Sequence, residues 1–186
     1  MEAKFSPRVK DVITYSREEA LRLGHDYIGL EHLMLGIIRD GDGLGIKLLK
    51  KNGINLQELR KQIELAIGVS VKKVNNLSNI PLLKQAEKAL KLTYLEAKLF
   101  KAMEIGTEHL LLCILKDNDN IASKVLARFD ITYDTLRASL DEYMKDPSDD
   151  IRMEGPTSDD DDADDANFGG SGTGAQSKKP GESKSK

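Results

Sequence analysis

A chain of 186 residues with a formal charge of −3, 32% charged residues, 5% aromatics and no tryptophan has the composition of a soluble protein built from amphipathic helices. One cysteine, Cys113, excludes an intrachain disulfide and fits a reducing compartment. The charged opening Met1–Arg8 has no apolar signal core, and no apolar run approaches the roughly 18 residues of a membrane span, so no membrane contact and a cytoplasmic location are expected.

The charge is split along the chain. Residues 146–186 carry 11 acidic and 5 basic residues, a net of −6, which leaves +3 on residues 1–145. A surplus that small and that dispersed argues against nucleic acid as a partner.

The first helix is expected to begin at Ser6-Pro7, a capping hydroxyl followed by proline at the first helical position. Val9, Val12, Ile13, Ser16, Ala20 and Leu23 then share one helical face. The second helix, Leu30 to about Arg39, is apolar nearly all round, as suits a central buried helix. A short third helix covers Leu44–Lys51 and stops at Asn52-Gly53. The fourth opens with Asn55-Leu56-Gln57-Glu58, a capping-box-like start, and buries Leu56, Leu59, Ile63 and Ile67.

The pattern then repeats. Shifted by 77 residues, Arg8–Ile67 lies over Gln85–Met144 without a gap. Ile28-Gly29-Leu30-Glu31-His32-Leu33 falls on Ile105-Gly106-Thr107-Glu108-His109-Leu110, and about a quarter of the aligned positions are identical. No alternating strand pattern of useful length occurs. The expected fold is all-α: two four-helix repeats (residues 4–67 and 80–145) related by a pseudo-twofold axis, joined by a linker over residues 68–79, with a ligand groove between them. Residues 146–186, with Asp159–Asp162 and a Gly/Ser-rich run, are too polar to offset their ordering entropy and are expected to be a disordered tail.

Few residues invite chemistry. No phosphate-binding GxxxxGK[ST] loop is present. Gly41-Asp42-Gly43-Leu44-Gly45 reads as a turn into the third helix, since no strand precedes it. A calcium loop from Asp40 fails because Leu44 and Lys51 stand where ligands are needed. His32 and His109 lie outside any HExxH or Cys/His cluster and read as packed, backbone-bonded histidines, so no metal is expected. Cys113 reads as a buried structural thiol. Glu31 and Glu108 each fall in the first turn of an otherwise apolar helix, where the helix dipole favours a carboxylate. A carboxylate at the groove could also pair with a guanidinium. No arrangement suggests bond-breaking catalysis.

Glu18-Glu19-Ala20-Leu21-Arg22-Leu23-Gly24-His25 followed by Ile28–Gly36, with Ile105–Leu112 in the second copy, closely resembles the double Clp repeat at the N-terminus of ClpC-type protein unfoldases. The resemblance implies a monomeric platform that receives adaptor proteins and protein substrates for an ATPase ring and its ClpP-like peptidase. ATP and magnesium would belong to ATPase modules beyond this chain, with no cofactor here, and the tail would be the linker toward them. A free-standing accessory subunit docking on a Clp protease is the alternative. In some members this domain binds phosphoarginine: glutamates at the positions of Glu31 and Glu108 hold the guanidinium, and a hydroxyl at the start of each first helix helps hold the phosphate. Ser6 keeps that hydroxyl, whereas Leu83 with Lys84-Gln85 replaces it in the second copy. Ser6, Glu31 and Glu108 are the candidate binding residues, with binding expected more at Ser6 and Glu31 than at Leu83 and Glu108.

Overall fold

The computed structural model describes residues 3–71 and 79–147; the expected tail from residue 148 onward and residues 72–78 of the expected linker lie outside the described residues. Among the described residues eight helices form two sets of four: α1 (Pro7–Arg22), α2 (Leu30–Asp40), α3 (Leu44–Lys51) and α4 (Leu56–Ile67), then α5 (Lys84–Leu99), α6 (Thr107–Lys116), α7 (Ile121–Arg128) and α8 (Tyr133–Lys145). All eight start at positions related by the 77-residue shift read from the sequence.

Local chemistry explains these boundaries. Ser6 Oγ accepts the Val9 amide at 3.2 Å and Pro7 opens α1. Asn55, Asn120 and Thr132 cap α4, α7 and α8 in the same way. At α4 only half of the expected capping box forms: Glu58 receives the Gln62 amide rather than reaching back to Asn55. Left-handed residues end the first and third helices of each set, Gly24 and Gly53 in the first, Lys101 and Asp130 in the second.

α2 and α6 run through the middle, with Leu30–Ile38 and His109–Leu115 wholly buried. Gly36 of α2 meets α1 so closely that a Cβ there would lie 2.5 Å from Ser16 Oγ and 2.6 Å from the Val12 carbonyl oxygen. Cys113 takes that place in α6, and burial pushes its thiol up to about 12. Each set is also tied by one buried acid. Glu19 accepts Arg22 at 2.7 Å and Arg60 at 3.0 Å, while Glu96 accepts Lys116 at 3.0 Å and the Tyr133 hydroxyl at 3.1 Å.

The sequence does not announce how the two sets exchange their leading segments. β1 (Lys4–Phe5) pairs in parallel with β2 (Glu104–Ile105), and Ile28 bridges Leu82 in the same sense. The 77-residue shift converts one pairing into the other, so each set's entry strand lies beside the loop before the other set's central helix. Two-residue strands are too short for alternation to be legible.

Candidate functional site

The site is built on the first turns of α2 and α6. In each, an extended glycine is the cap, and its amide donates to the histidine three residues on: Gly29 to His32 Nδ1 at 2.9 Å and Gly106 to His109 Nδ1 at 2.9 Å. An accepting Nδ1 places the ring proton on Nε2. Burial holds both imidazoles neutral and lowers their pKa to about 4. They act as caps, so the 4.0 Å and 3.6 Å approaches of Glu31 and Glu108 to them are not ion pairs. His32 Nε2–H is thereby free to donate to His25 Nδ1, 2.8 Å away, and Tyr27 stacks on His25. In the second set Ala102 and Glu104 stand in those places.

Both glutamates fold back over their capping glycines. A Cβ on Gly29 would lie 2.6 Å from Glu31 Oε1, and one on Gly106 would lie 2.2 Å from Glu108 Oε2. Any other residue at either cap would evict the carboxylate. Burial raises the Glu108 pKa, and a hydrogen bond from its own backbone amide partly offsets this.

Glu108 borders a cavity of about 550 Å³ that also takes in Ser6, Arg8, Asp11, Asp40 and Glu104. The strand exchange creates it: the Ser6 amide donates to the Ile105 carbonyl at 3.0 Å, which brings the start of α1 against the start of α6. Arg8 is already held by Asp40 at 2.8 Å and Asp42 at 3.5 Å. Thr107 Oγ1 accepts the Gly45 amide at 3.0 Å, fastening α3 to α6 beside the cavity. Gly43 permits this with φ +87°, and a Cβ there would collide with Arg8 Cδ at 2.7 Å. Four carboxylates against one engaged guanidinium make the cavity attractive to a cation.

The fold therefore does not join Ser6 to Glu31. Ser6 meets Glu108 across the repeats, and Leu83 meets Glu31 in the same crossed manner, its amide donating to the Ile28 carbonyl at 2.9 Å. The mirror place retains an echo of Arg8–Asp40 in Gln85–Asp117 at 3.1 Å. It carries Lys84 and Lys88 where the cavity has Pro7 and Asp11. Repeat alignment already places Asp40 over Asp117, but nothing in it marks Arg8, Asp11 or Glu104 as neighbours of Glu108. That needs the strand exchange.

The structure is thus a pair of helical repeats locked by exchanged entry strands, with a polar cavity where one repeat's first helix meets the other's central helix. The chain belongs to the family of the Clp repeat (R) N-terminal domain, whose pattern matches residues 4–129 and 84–156. It is 32% identical over 137 residues to the chaperone protein ClpB of Oceanobacillus iheyensis, covering 74% of this chain and 17% of that protein. It is also 32% identical over 137 residues to the negative regulator of genetic competence ClpC/MecB of Bacillus subtilis, covering 74% of this chain and 16% of that one. The chain thus spans about a sixth of the length of these relatives. Among solved structures, the N-terminal domain of the ClpD chaperone from Arabidopsis thaliana shares the fold, with a TM-score of 0.60 and 20% identity over 76% of this chain and 94% of that one. Among the described residues no helix is long and apolar enough to cross a membrane, and no cluster of three metal-binding side chains occurs.

Proposed function

We propose that this chain is the adaptor- and substrate-recognition domain of a ClpC-type protein unfoldase, from which bound proteins pass to an ATPase ring and a ClpP-like peptidase. The supporting observation is the acid-lined cavity at the Ser6–Glu108 junction. In this reading a substrate arginine presents its guanidinium to Glu108. Where the arginine is phosphorylated, its phosphoryl oxygens meet the Ser6 hydroxyl at the start of α1. Glu31, beside Leu83, supplies a weaker second place. The chain itself breaks no bond, and ATP with magnesium acts in modules other than this one. The setting is the cytoplasm, and the domain by itself is monomeric.

An NMR titration of the chain with free phosphoarginine, and in parallel with arginine, tests this reading. Signals of Ser6, Arg8 and Glu108 should move more than those of Leu83 and Glu31. Glu108→Gln should weaken both ligands by one to two decades, since a charged hydrogen bond contributes about 1.5–3 kcal/mol. Ser6→Ala should weaken phosphoarginine alone. Binding should also fall as pH drops through the raised pKa of Glu108. Absence of movement in the cavity, or equal movement at both places, would overturn the assignment.

A further inference from the structure

The outward face of α5 differs in kind from the same face of α1. On α5 and just beyond it, Tyr94, Leu95, Leu99 and Met103 are 38, 56, 59 and 69% exposed. Their counterparts in the first repeat are Arg17, Glu18, Arg22 and Asp26. Two of those are tied down, Glu18 to Arg39 at 2.7 Å and Arg22 to Glu19 at 2.7 Å. One repeat thus closes this face with ion pairs while the other leaves it apolar. Tyr94 is partly covered by the Phe5 ring, 5.4 Å away between centroids, but Leu95, Leu99 and Met103 stay in water where the fold demonstrably accepts charge, which is the mark of a surface that is covered in use.

The surroundings say by what. Lys88, Lys91 and Lys98 lie on α5 within three or four residues of Leu92, Leu95 or Leu99, and Lys101 follows the helix. Lys91 pairs with Glu87 at 3.0 Å. Among the described residues no ion pair engages Lys88, Lys98 or Lys101. Leu95 and Leu99 are one helical turn apart on α5, and Met103 follows past the left-handed Lys101 that ends the helix. Apolar side chains at i, i+3 and i+4 of a second helix fit against such a stripe.

We propose that the α5 face is a docking surface for an acidic amphipathic helix of a partner protein, its leucine-like stripe lying on Leu95 and Leu99 and its flanking carboxylates meeting Lys88, Lys91 and Lys98. This surface is independent of the Ser6–Glu108 cavity. It marks the second repeat as the side on which a folded partner sits.

The test uses the whole chain and two synthetic 18-residue peptides with identical leucine stripes, one flanked by glutamates and one by lysines. The acidic peptide should move the amide signals of Leu95, Lys98, Leu99 and Met103 and leave those of Ser6 and Glu108 in place. Leu95→Glu with Leu99→Arg, the residues of the first repeat, should reduce its affinity at least tenfold with an unchanged far-ultraviolet circular dichroism spectrum. Reversing Lys88, Lys91 and Lys98 to glutamate should switch the preference to the lysine peptide, which an unfolded chain could not do. Any of four results overturns the proposal: no movement on α5, equal binding of both peptides by the parent chain, unaltered binding by either variant, or α5 signals that move on concentration alone. The last would assign the face to a second copy of the chain.

Discussion

Glu19 and Glu96 occupy equivalent buried places in the two repeats but are neutralised by different means. Three arginines surround Glu19, with Arg39 a third at 3.8 Å, whereas Glu96 has one lysine and a tyrosine hydroxyl. The same division recurs elsewhere. The first repeat crosses α1 over α2 at Gly36, ends its helices on glycines and pairs its surface charges. The second uses Cys113, Lys101 and Asp130, and leaves leucines outside. What both retain is the capping glycine, the neutral histidine and the folded-back glutamate. A duplicated fold can therefore vary its polar fastenings while the turn that presents a carboxylate stays fixed.

Acid should test that shared turn most severely. The pKa of both His32 and His109 falls to about 4 on folding, so the unfolded chain binds more protons between that value and 6.5. Stability is full above the unfolded value and is lost as pH falls toward 4, by about 3 kcal/mol at each histidine. Glu108 works in the opposite direction. Its raised folded pKa gives stability that is present below the unfolded value and lost as pH rises through the folded one. Urea unfolding from pH 7 to pH 4 should show the net loss, and His109→Gln should remove about half the slope. A slope unaffected by that change would mean that the two caps are not equivalent.

The buried acids come next. Breaking a buried ion pair costs about 3–5 kcal/mol when the partner is stranded, and less when the partner can turn to water. Arg22, Arg39, Arg60 and Lys116 are all partly exposed. Glu19→Ala should cost about 3 kcal/mol and Glu96→Ala about 2 kcal/mol. The reverse order in chemical denaturation would show that the hydroxyl of Tyr133 matters more than the extra arginines.

The helix frame was legible because it depends on features that are local in sequence: the Ser6-Pro7 start, the apolar run Leu30–Ile38, and a 77-residue echo that marks every start twice. Glu31 and Glu108 stood out by the same means, as charges in apolar helices. Which of them faces Ser6 was not legible. It depends on the pairing of Phe5 with Ile105, two residues joined across 100 positions by hydrogen bonds that leave no periodic trace. Arg8, Asp11 and Glu104 became neighbours of the site through that pairing alone. The apolar face of α5 lies in the differences between the repeats instead of their identities, since Glu18 and Arg22 align with Leu95 and Leu99.

The helix crossing offers a smaller contrast. Gly36→Ala forces a methyl against Ser16 Oγ and the Val12 carbonyl, and a backbone atom cannot step aside cheaply. Overpacking of this sort costs about 1–3 kcal/mol, so a loss of about 2 kcal/mol is expected. Cys113→Ala removes one buried sulfur and should cost about 1 kcal/mol. Equal losses on thermal unfolding would mean that α1 and α2 separate as readily as α5 and α6.

The smallest effects belong to the left-handed helix ends, where the comparison is cleanest because one backbone shape recurs at four places and is filled by glycine, lysine or aspartate. Gly53 has φ +79°, and a methyl group added there would meet nothing within 4 Å, so Gly53→Ala brings conformational strain alone, about 1 kcal/mol. Gly24 has φ +74°, and its Cβ would also lie 2.2 Å from the Ser70 carbonyl oxygen, part of a chain reversal fixed by the Ser70 amide bonding to Leu23. Gly24→Ala should therefore cost more than Gly53→Ala. Lys101, at φ 53°, bears the strain that Gly24 avoids. Lys101→Gly relieves it but returns backbone freedom to the unfolded chain, and the two nearly cancel, leaving a gain of about 0.5 kcal/mol or less. The expected order of melting temperatures is Lys101→Gly at or above the parent, then Gly53→Ala, then Gly24→Ala. If Lys101→Gly instead lowered the melting temperature by several degrees, the lysine side chain would have to hold the end of α5 by a contact that outweighs its strained backbone.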